Sequence, residues 1–306
     1  MGRIVAAALV GLLAAVPAAM TGGGAGVVQG PPSCAKRVVS LAPHATQALF
    51  AIGAGGDVVG VDDFSREPPE ARALPRLGAY IDPDLEGIIE LRPDLVLLTP
   101  GRRELAGQLG GLGLHVRIVP DTRMDDVFET IELLGGETCR ATPAADVVRR
   151  LREGIAAAGR AAEGGAPVRA VLIVDRPAGE LRQFYVAGSG NFLDDVLRAA
   201  GASNVFGGAV NSFPQVSLEP IATADPDLVI ELAPGADEAT AAERVALWSR
   251  VAPQLRAVRT GNVAVLTEPW IPVPGTMVDR AVGLMAELVA RARGGEREER
   301  EGREGQ

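Results

Sequence analysis

Lysine is nearly absent from these 306 residues: of 30 basic side chains, all but Lys36 are arginine. A phosphate loop of the G-x-x-x-x-G-K type needs a lysine behind paired glycines, and Lys36 stands in Ala35-Lys36-Arg37, so that chemistry is excluded. Histidine is as scarce. His44 and His115 leave no material for a histidine-rich metal site, and zinc catalysis goes with it. No G-x-S-x-G occurs; Gly188-Ser189-Gly190 follows a strand-like run without the nucleophile-elbow spacing. Gly53-Ala54-Gly55 opens like a dinucleotide fingerprint but follows a helix pattern rather than a strand. The formal charge of −9 has the wrong sign for a nucleic-acid partner. Beyond residue 20 no apolar run approaches the roughly 18 residues of a membrane-crossing helix. Aromatic residues make up only 4% of the chain, so their positions are informative.

What is present is enough apolar material, 47% of residues, to rule out wholesale disorder, over a length that suggests about two domains. The arginine abundance beside alanine and glycine reads as codon bias and carries no mechanism. Met1–Arg3 is basic, residues 4–20 run apolar and uncharged, and small residues follow. That is the pattern of a secretory signal peptide, placed here at 1–26 with a linker at 27–35; the alternative is an uncleaved anchor, which Pro17 disfavours. Export into an oxidising compartment makes a Cys34–Cys139 disulfide the preferred reading. Lipid attachment at Cys34 and two unpaired buried thiols are its rivals.

The chain repeats itself. Residues 85–96 read LEGIIELRPDLV and residues 218–229 read LEPIATADPDLV, both L-E-x-I-x-x-x-x-P-D-L-V without a gap. Upstream of each lies a helix that ends on glycine, LFAIGAGGDVVGV at 49–61 and VLRAAGASNVFGG at 196–208. Each half also opens with a buried-strand run, RVVSLAP at 37–43 and VRAVLIVD at 168–175. Continuous apolar strands between helices predict α/β architecture: two Rossmann-like lobes with parallel sheets, at 36–141 and 165–293. Thr142-Pro143 reads as an N-cap and first helical position of one long backbone helix at 142–164, with Val147, Val148, Leu151, Ile155 and Ala158 on one stripe. Such a strut predicts small hinge motion rather than wide closure. The tail 294–306, GGEREEREGREGQ, is charged without apolar periodicity and reads as disordered.

RVVSLAPHATQALFAIGAGGDVVGVDDFS, LPRLGAYIDPDLEGIIELRPDLVLL, YVAGSGNFLDDVLRAAGASNVF and GNVAVLTEPW together resemble the class III, helical-backbone substrate-binding proteins of ABC importers over residues 36 to 290. That family carries cobalamin, ferric siderophores, haem and some bare metals in the periplasm. The resemblance implies a monomer that binds a metal chelate as cargo, uses no cofactor of its own, and hands the cargo to a permease and its ATPase. It implies that Glu86 and Glu219, at equivalent positions of the repeat, dock on permease arginines, one per lobe; helix-dipole stabilisation alone would account for a single glutamate.

A cleft between the lobes, at the carboxyl ends of strands, is the expected ligand site. The candidates are His44, Thr46, Phe64, Ser65 and Tyr80 from the first lobe, and Tyr185, Phe213 and Trp270 from the second. Tyr80, Tyr185, Phe213 and Trp270 align with aromatic positions of cobalamin-binding members, and a flat macrocycle favours aromatic walls. His44 is a candidate cobalt or iron ligand against the plainer reading of a hydrogen-bonded loop histidine. Two departures bear on the ligand. Pro274-Gly275 is followed by Thr276-Met277 where many relatives have arginine, and no arginine cluster typical of siderophore binders is evident beyond Arg102 and Arg103, which read equally as solvated loop charges. Cobalamin or a related corrinoid leads, then a ferric siderophore, then haem. The rivals from other classes are an enzyme, for which no acid–base spacing exists, and a binding protein that feeds a sensor.

Overall fold

The structure is a computed structural model and describes residues 34–161 and 166–304. The expected leader, most of the linker and the far end of the interlobe helix lie outside those residues.

The first lobe runs β1 (Val38–Leu41), α1 (Pro43–Ala51), β2 (Val58–Val61), α2 (Leu85–Glu90), β3 (Leu95–Leu98), α3 (Arg103–Gly111), β4 (Val116–Ile118) and α4 (Met124–Glu137). Its four strands form a parallel sheet in the order β2-β1-β3-β4. β1 and β3 are buried along their whole length, as uninterrupted apolar strands between two helical layers must be. The chain then enters α5 (Ala141–Ala161). The second lobe follows with β5 (Val168–Asp175), β6 (Phe184–Val186), α6 (Phe192–Ala199), β7 (Ala202–Asn204), β8 (Gln215–Val216), α7 (Leu218–Ala224), β9 (Leu228–Leu232), α8 (Glu238–Val251), α9 (Arg256–Arg259), β10 (Val263–Leu266) and α10 (Val278–Glu304).

Three expectations need correction. The second sheet, β10-β9-β5-β6-β8 with β7 also on β5, is mixed rather than parallel: β6 runs antiparallel to β5 and to β8. Only residues 176–183 separate β5 from β6, too short for the crossover of a dozen or more residues that a parallel neighbour requires. Thr142 is not an N-cap. Cys139 turns the chain at φ 55°, α5 starts at Ala141, and the Arg140 carbonyl already accepts from Ala144 N; Pro143 sits in the first turn, where its missing N–H costs nothing. The terminal helix does not stop at 293 but continues to Glu304.

The repeat has a structural explanation that covers most of its letters. In the first lobe Asp94 accepts from the backbone N–H groups of Lys36 and Arg37 at 2.8 and 3.0 Å, and Arg37 in turn donates to the carbonyls of Leu91 and Arg92. In the second, Asp227 accepts from Arg169 N at 2.9 Å, and Arg169 donates to the carbonyls of Ala224 and Asp225. Arg92 and Asp225, at the same position of the repeat, both adopt left-handed backbone, φ 44° and 41°, to end the motif helix. The motif therefore ties each lobe's first strand to the strand that follows the motif helix, in the registers Val38↔Leu95 and Ala170↔Leu228.

The lobes share one core. A single apolar cluster includes Val38 and Leu95 of the first sheet, Val147 and Leu151 of α5, Leu172 and Ile230 of the second sheet, and Met285 of α10. α10 lies along α5, where a Cβ on Gly154 would stand 2.9 Å from that of Asp279. Two polar ties add to the seam. Arg123 grips Asp195 with Nε and Nη2, both at 2.7 Å, and Gln47 Oε1 accepts from Thr276 N at 3.1 Å. Cys34 and Cys139 form a disulfide with Cα atoms 5.3 Å apart, and Ala35 N donates to the Glu137 carbonyl beside it.

Asp227 is buried and Asp94 exposed, so the two clamps should differ in strength. Asp227→Ala, which also removes the contact with Arg256 Nη1 at 3.0 Å, is expected to destabilise by about 2–3 kcal/mol and Asp94→Ala by about 1 kcal/mol. Urea unfolding of the two variants checks the order.

Candidate functional site

Tyr80 is presented by a tight turn. Gly78 at φ 83° lies so close to the Asp82 carbonyl that a side chain has no room, and Asp84 N returns to the Leu77 carbonyl at 2.9 Å. The Arg102 guanidinium stacks on the phenol ring, 4.5 Å from its centroid, and donates to the Ala79 carbonyl at 3.0 Å. The Tyr80 hydroxyl occupies the space a Cβ on Gly101 would take. A glycine and an arginine at the end of β3 thus seat the ring, which remains about half-exposed.

Arg102 is only 5% exposed, with Nε and Nη1 lacking acceptors. It is not the solvated charge that is one reading of the sequence. Burial lowers its pKa below the guanidinium's usual value, against the opposing pull of Asp62. Burial raises the Asp62 carboxyl above the usual carboxylate range, while hydrogen bonds from Ser65 and the charge of Arg102 pull it back. Phe64 sits exposed on the turn between them, held from below by Arg76 Nη1 on the carbonyls of Asp62 and Ser65.

In the second lobe the Gly188-Ser189-Gly190-Asn191 run is a clamp. Gly188 admits the Asn211 carbonyl where a side chain would clash, Ser189 Oγ donates to the Ala209 carbonyl at 2.6 Å, and Asn191 Nδ2 donates to the Ser212 carbonyl at 2.7 Å. Asn191 Oδ1 meanwhile caps α6 through Asp194 N. The clamped loop carries Phe213. Tyr185 lies on strand β6, between β5 and the edge strand β8, rather than in a loop. The ladder continues past β8 through Val186 N to Pro214 O and Gly188 N to Ser212 O, which puts Phe213 and Tyr185 on one face as diagonal neighbours. Both are about half-exposed. Trp270 is partly buried against the common core, with the Arg280 guanidinium 4.8 Å over its ring.

His44, Thr46 and Ser65 are not on the surface. Thr46 is fully buried in α1 and its hydroxyl bonds to those of Ser40 and Ser65, both at 2.9 Å, joining β1, α1 and the loop after β2. His44 is 3% exposed, and its Nε2 is buried without a partner. Both residues brace the first lobe, because Pro43 starts α1 directly after β1 and turns the following side chains inward. Among the described residues no group of three or more His, Cys, Asp or Glu could hold a metal.

Glu86 and Glu219 occupy the first turns of α2 and α7, exposed and without an ion-pair partner among the described residues. The α2 cap belongs to Asp84, which accepts from Gly87 N at 2.9 Å. The sequence reading missed Gly101 and Arg102 as the seat of Tyr80; an arginine directly behind a glycine at a strand's end was the available signal.

A family model described as periplasmic binding protein matches residues 38–269. The chain belongs to that family. The single helix between two α/β lobes is that of its class III members. A vitamin B12-binding protein of Vibrio cholerae is 27% identical over 255 residues, 80% of this chain and 87% of its own. The crystal structure of a periplasmic vitamin B12 binding protein from Vibrio cholerae superposes with a TM-score of 0.73 at 25% identity, over 85% of this chain and 98% of that one. A periplasmic haem binding protein from Pseudomonas aeruginosa gives 0.66 at 25% identity, over 82% and 91%.

The buried histidine of this binding protein has a pH signature. Burial lowers the His44 pKa to about 4, despite the Asp126 charge and the Pro120 carbonyl, which favour protonation. The unfolded chain takes up a proton near 6.5 and the folded one does not until about 4, so stability is present above 6.5 and falls as pH drops through that window. His44→Gln should flatten the slope by an amount on the order of 3 kcal/mol across the window, read by urea midpoints at pH 7 and pH 4.5.

Proposed function

We propose that the protein is exported to the periplasm, captures cobalamin or a related corrinoid between its lobes, and delivers it to the permease of an ABC importer driven by its ATPase. The observation that carries the reading is the division of labour inside the repeat. Asp94 and Asp227 fasten strands, while Glu86 and Glu219 stand exposed and unpaired at the same position of each lobe. A charge that the fold does not use, kept twice, suits a partner with two complementary charges. Among the described residues no helix is long and apolar enough to cross a membrane.

The corrinoid is supported by half-exposed aromatic rings anchored on both lobes, Phe64 and Tyr80 on one, Tyr185 and Phe213 on the other, and by the vitamin B12-binding relatives. Flat partly apolar macrocycles gain most from such rings. One observation favours a second reading, haem or a ferric siderophore: the buried Arg102 guanidinium behind Tyr80 has donors without acceptors, which suits a ligand with a carboxylate at that ring. Binding rather than catalysis is the activity, since the Ser189 hydroxyl is committed to a carbonyl and His44 is sealed in the core. The ligand is cargo, and the protein acts as a monomer without a cofactor of its own.

Tryptophan-quenching titrations with cyanocobalamin, haem and ferric siderophores test the ligand. Submicromolar cobalamin binding that weakens about tenfold in Tyr80→Ala and in Phe213→Ala is expected. Haem or siderophore binding alone would promote the second reading, and no binding by any of them would overturn both. The docking role has a separate check. Glu86→Ala/Glu219→Ala should abolish uptake in cells while leaving affinity within about twofold of the parent; a loss of ligand affinity in that variant would place the glutamates in the binding site.

A further inference from the structure

A second pocket, apart from the aromatic loops, opens in the second lobe between the end of β5 and one face of α8 from Thr240 to Arg250. Its volume is about 310 Å³, and Arg176, Gly179, Thr240, Arg244, Leu247 and Arg250 line it. Its floor is a charge cluster around Glu231, which is fully buried on β9. The Glu231 carboxylate accepts from Trp248 Nε1 at 3.0 Å, pairs with Arg176 Nη2 at 2.9 Å, and contacts Arg244 Nη1. Arg176 has no exposed side-chain surface; Nη1 donates to the carbonyls of Pro177 and Glu180, but Nε has no acceptor.

The charges do not close. Two guanidinium groups share one carboxylate, and neither arginine can shed its proton. The exposed Glu243 and Arg250 add one charge of each sign to the lining, so the pocket carries one net positive charge over a floor with an unfilled donor. A buried charge left uncompensated is costly, and an anion relieves it. One net charge favours a monoanion over a dianion, which the Glu243 carboxylate would further repel. The guanidinium fork matches a planar carboxylate, and Leu247 and Ala178 offer an apolar wall to a short hydrocarbon group.

We propose that this pocket is a binding site for a small monocarboxylate, with the carboxylate on Arg244 and Arg250 above the Arg176–Glu231 pair. The inference is independent of the ligand between the lobes, and the protein's two tryptophans separate the sites. Trp248 reports on the Glu231 cluster through its indole N–H, and Trp270 lies at the other site. In a ¹⁵N-resolved NMR titration of the purified protein with butyrate, the Trp248 indole resonance should move saturably at millimolar concentrations while that of Trp270 stays put. Inorganic phosphate should bind at least several-fold more weakly. Arg250→Gln, an exposed change that leaves the core intact, should weaken butyrate about fivefold, and Arg244→Met should abolish the shift. An unmoved Trp248 resonance, a drift matched by chloride at equal ionic strength, tighter binding of phosphate, or unaltered affinity in Arg250→Gln would each overturn the site.

Discussion

Everything the two lobes present to a ligand rests on the apolar face of α5. Ala144, Val147, Val148 and Leu151 are buried there in a cluster that continues into both sheets and into α10. Because the lobes meet through one core rather than through flexible crossing strands, their relative position is a packing property, and packed interiors resist small displacements. Gly135 against Ala144 and Gly154 against Asp279 are points of close approach on that helix, since only residues without a side chain let α4 and the start of α10 come so near. The Arg123–Asp195 and Gln47–Thr276 ties then add polar direction to an apolar seam.

On that frame the exposed aromatic rings are set by neighbours that bind backbone. Tyr80 is held by an arginine that grips a carbonyl of its own turn, Phe64 by an arginine on two carbonyls, and Phe213 by a serine and an asparagine that do the same. Each anchor satisfies loop carbonyls that would otherwise need water, so exposed rings stand on ordered backbone. Fixing the rings beforehand lowers the entropy that binding must overcome.

The protein also keeps several ionisable groups away from water. His44, Asp62 and Arg102 gather around the first lobe's loops, and Arg176 and Glu231 under the second pocket. Their stabilising partners are incomplete: His44 Nε2, two Arg102 nitrogens and Arg176 Nε have no acceptor or donor facing them. Burial without full pairing works against stability, and here it concentrates beside the surfaces to which binding is assigned.

The sequence by itself determined the two α/β halves, the helix between them and the equivalence of Glu86 with Glu219, because strand runs, helix periods and a gapless repeat are local patterns with a fixed physical meaning. It also drew attention to Phe64, Tyr80, Tyr185, Phe213 and Trp270, since aromatics are few in this chain; that Phe64, Tyr80, Tyr185 and Phe213 are exposed while Trp270 is partly buried was decided by the tertiary structure. It could not separate His44 and Thr46 from the true surface, because inward or outward depends on how α1 meets the sheet. Nor could it reveal that β6 and β8 run antiparallel, that Arg102 supports Tyr80, or that Arg176 and Arg244 converge on Glu231. Those facts depend on contacts between residues far apart in the chain, and only the packed tertiary structure decides which distant side chains become neighbours.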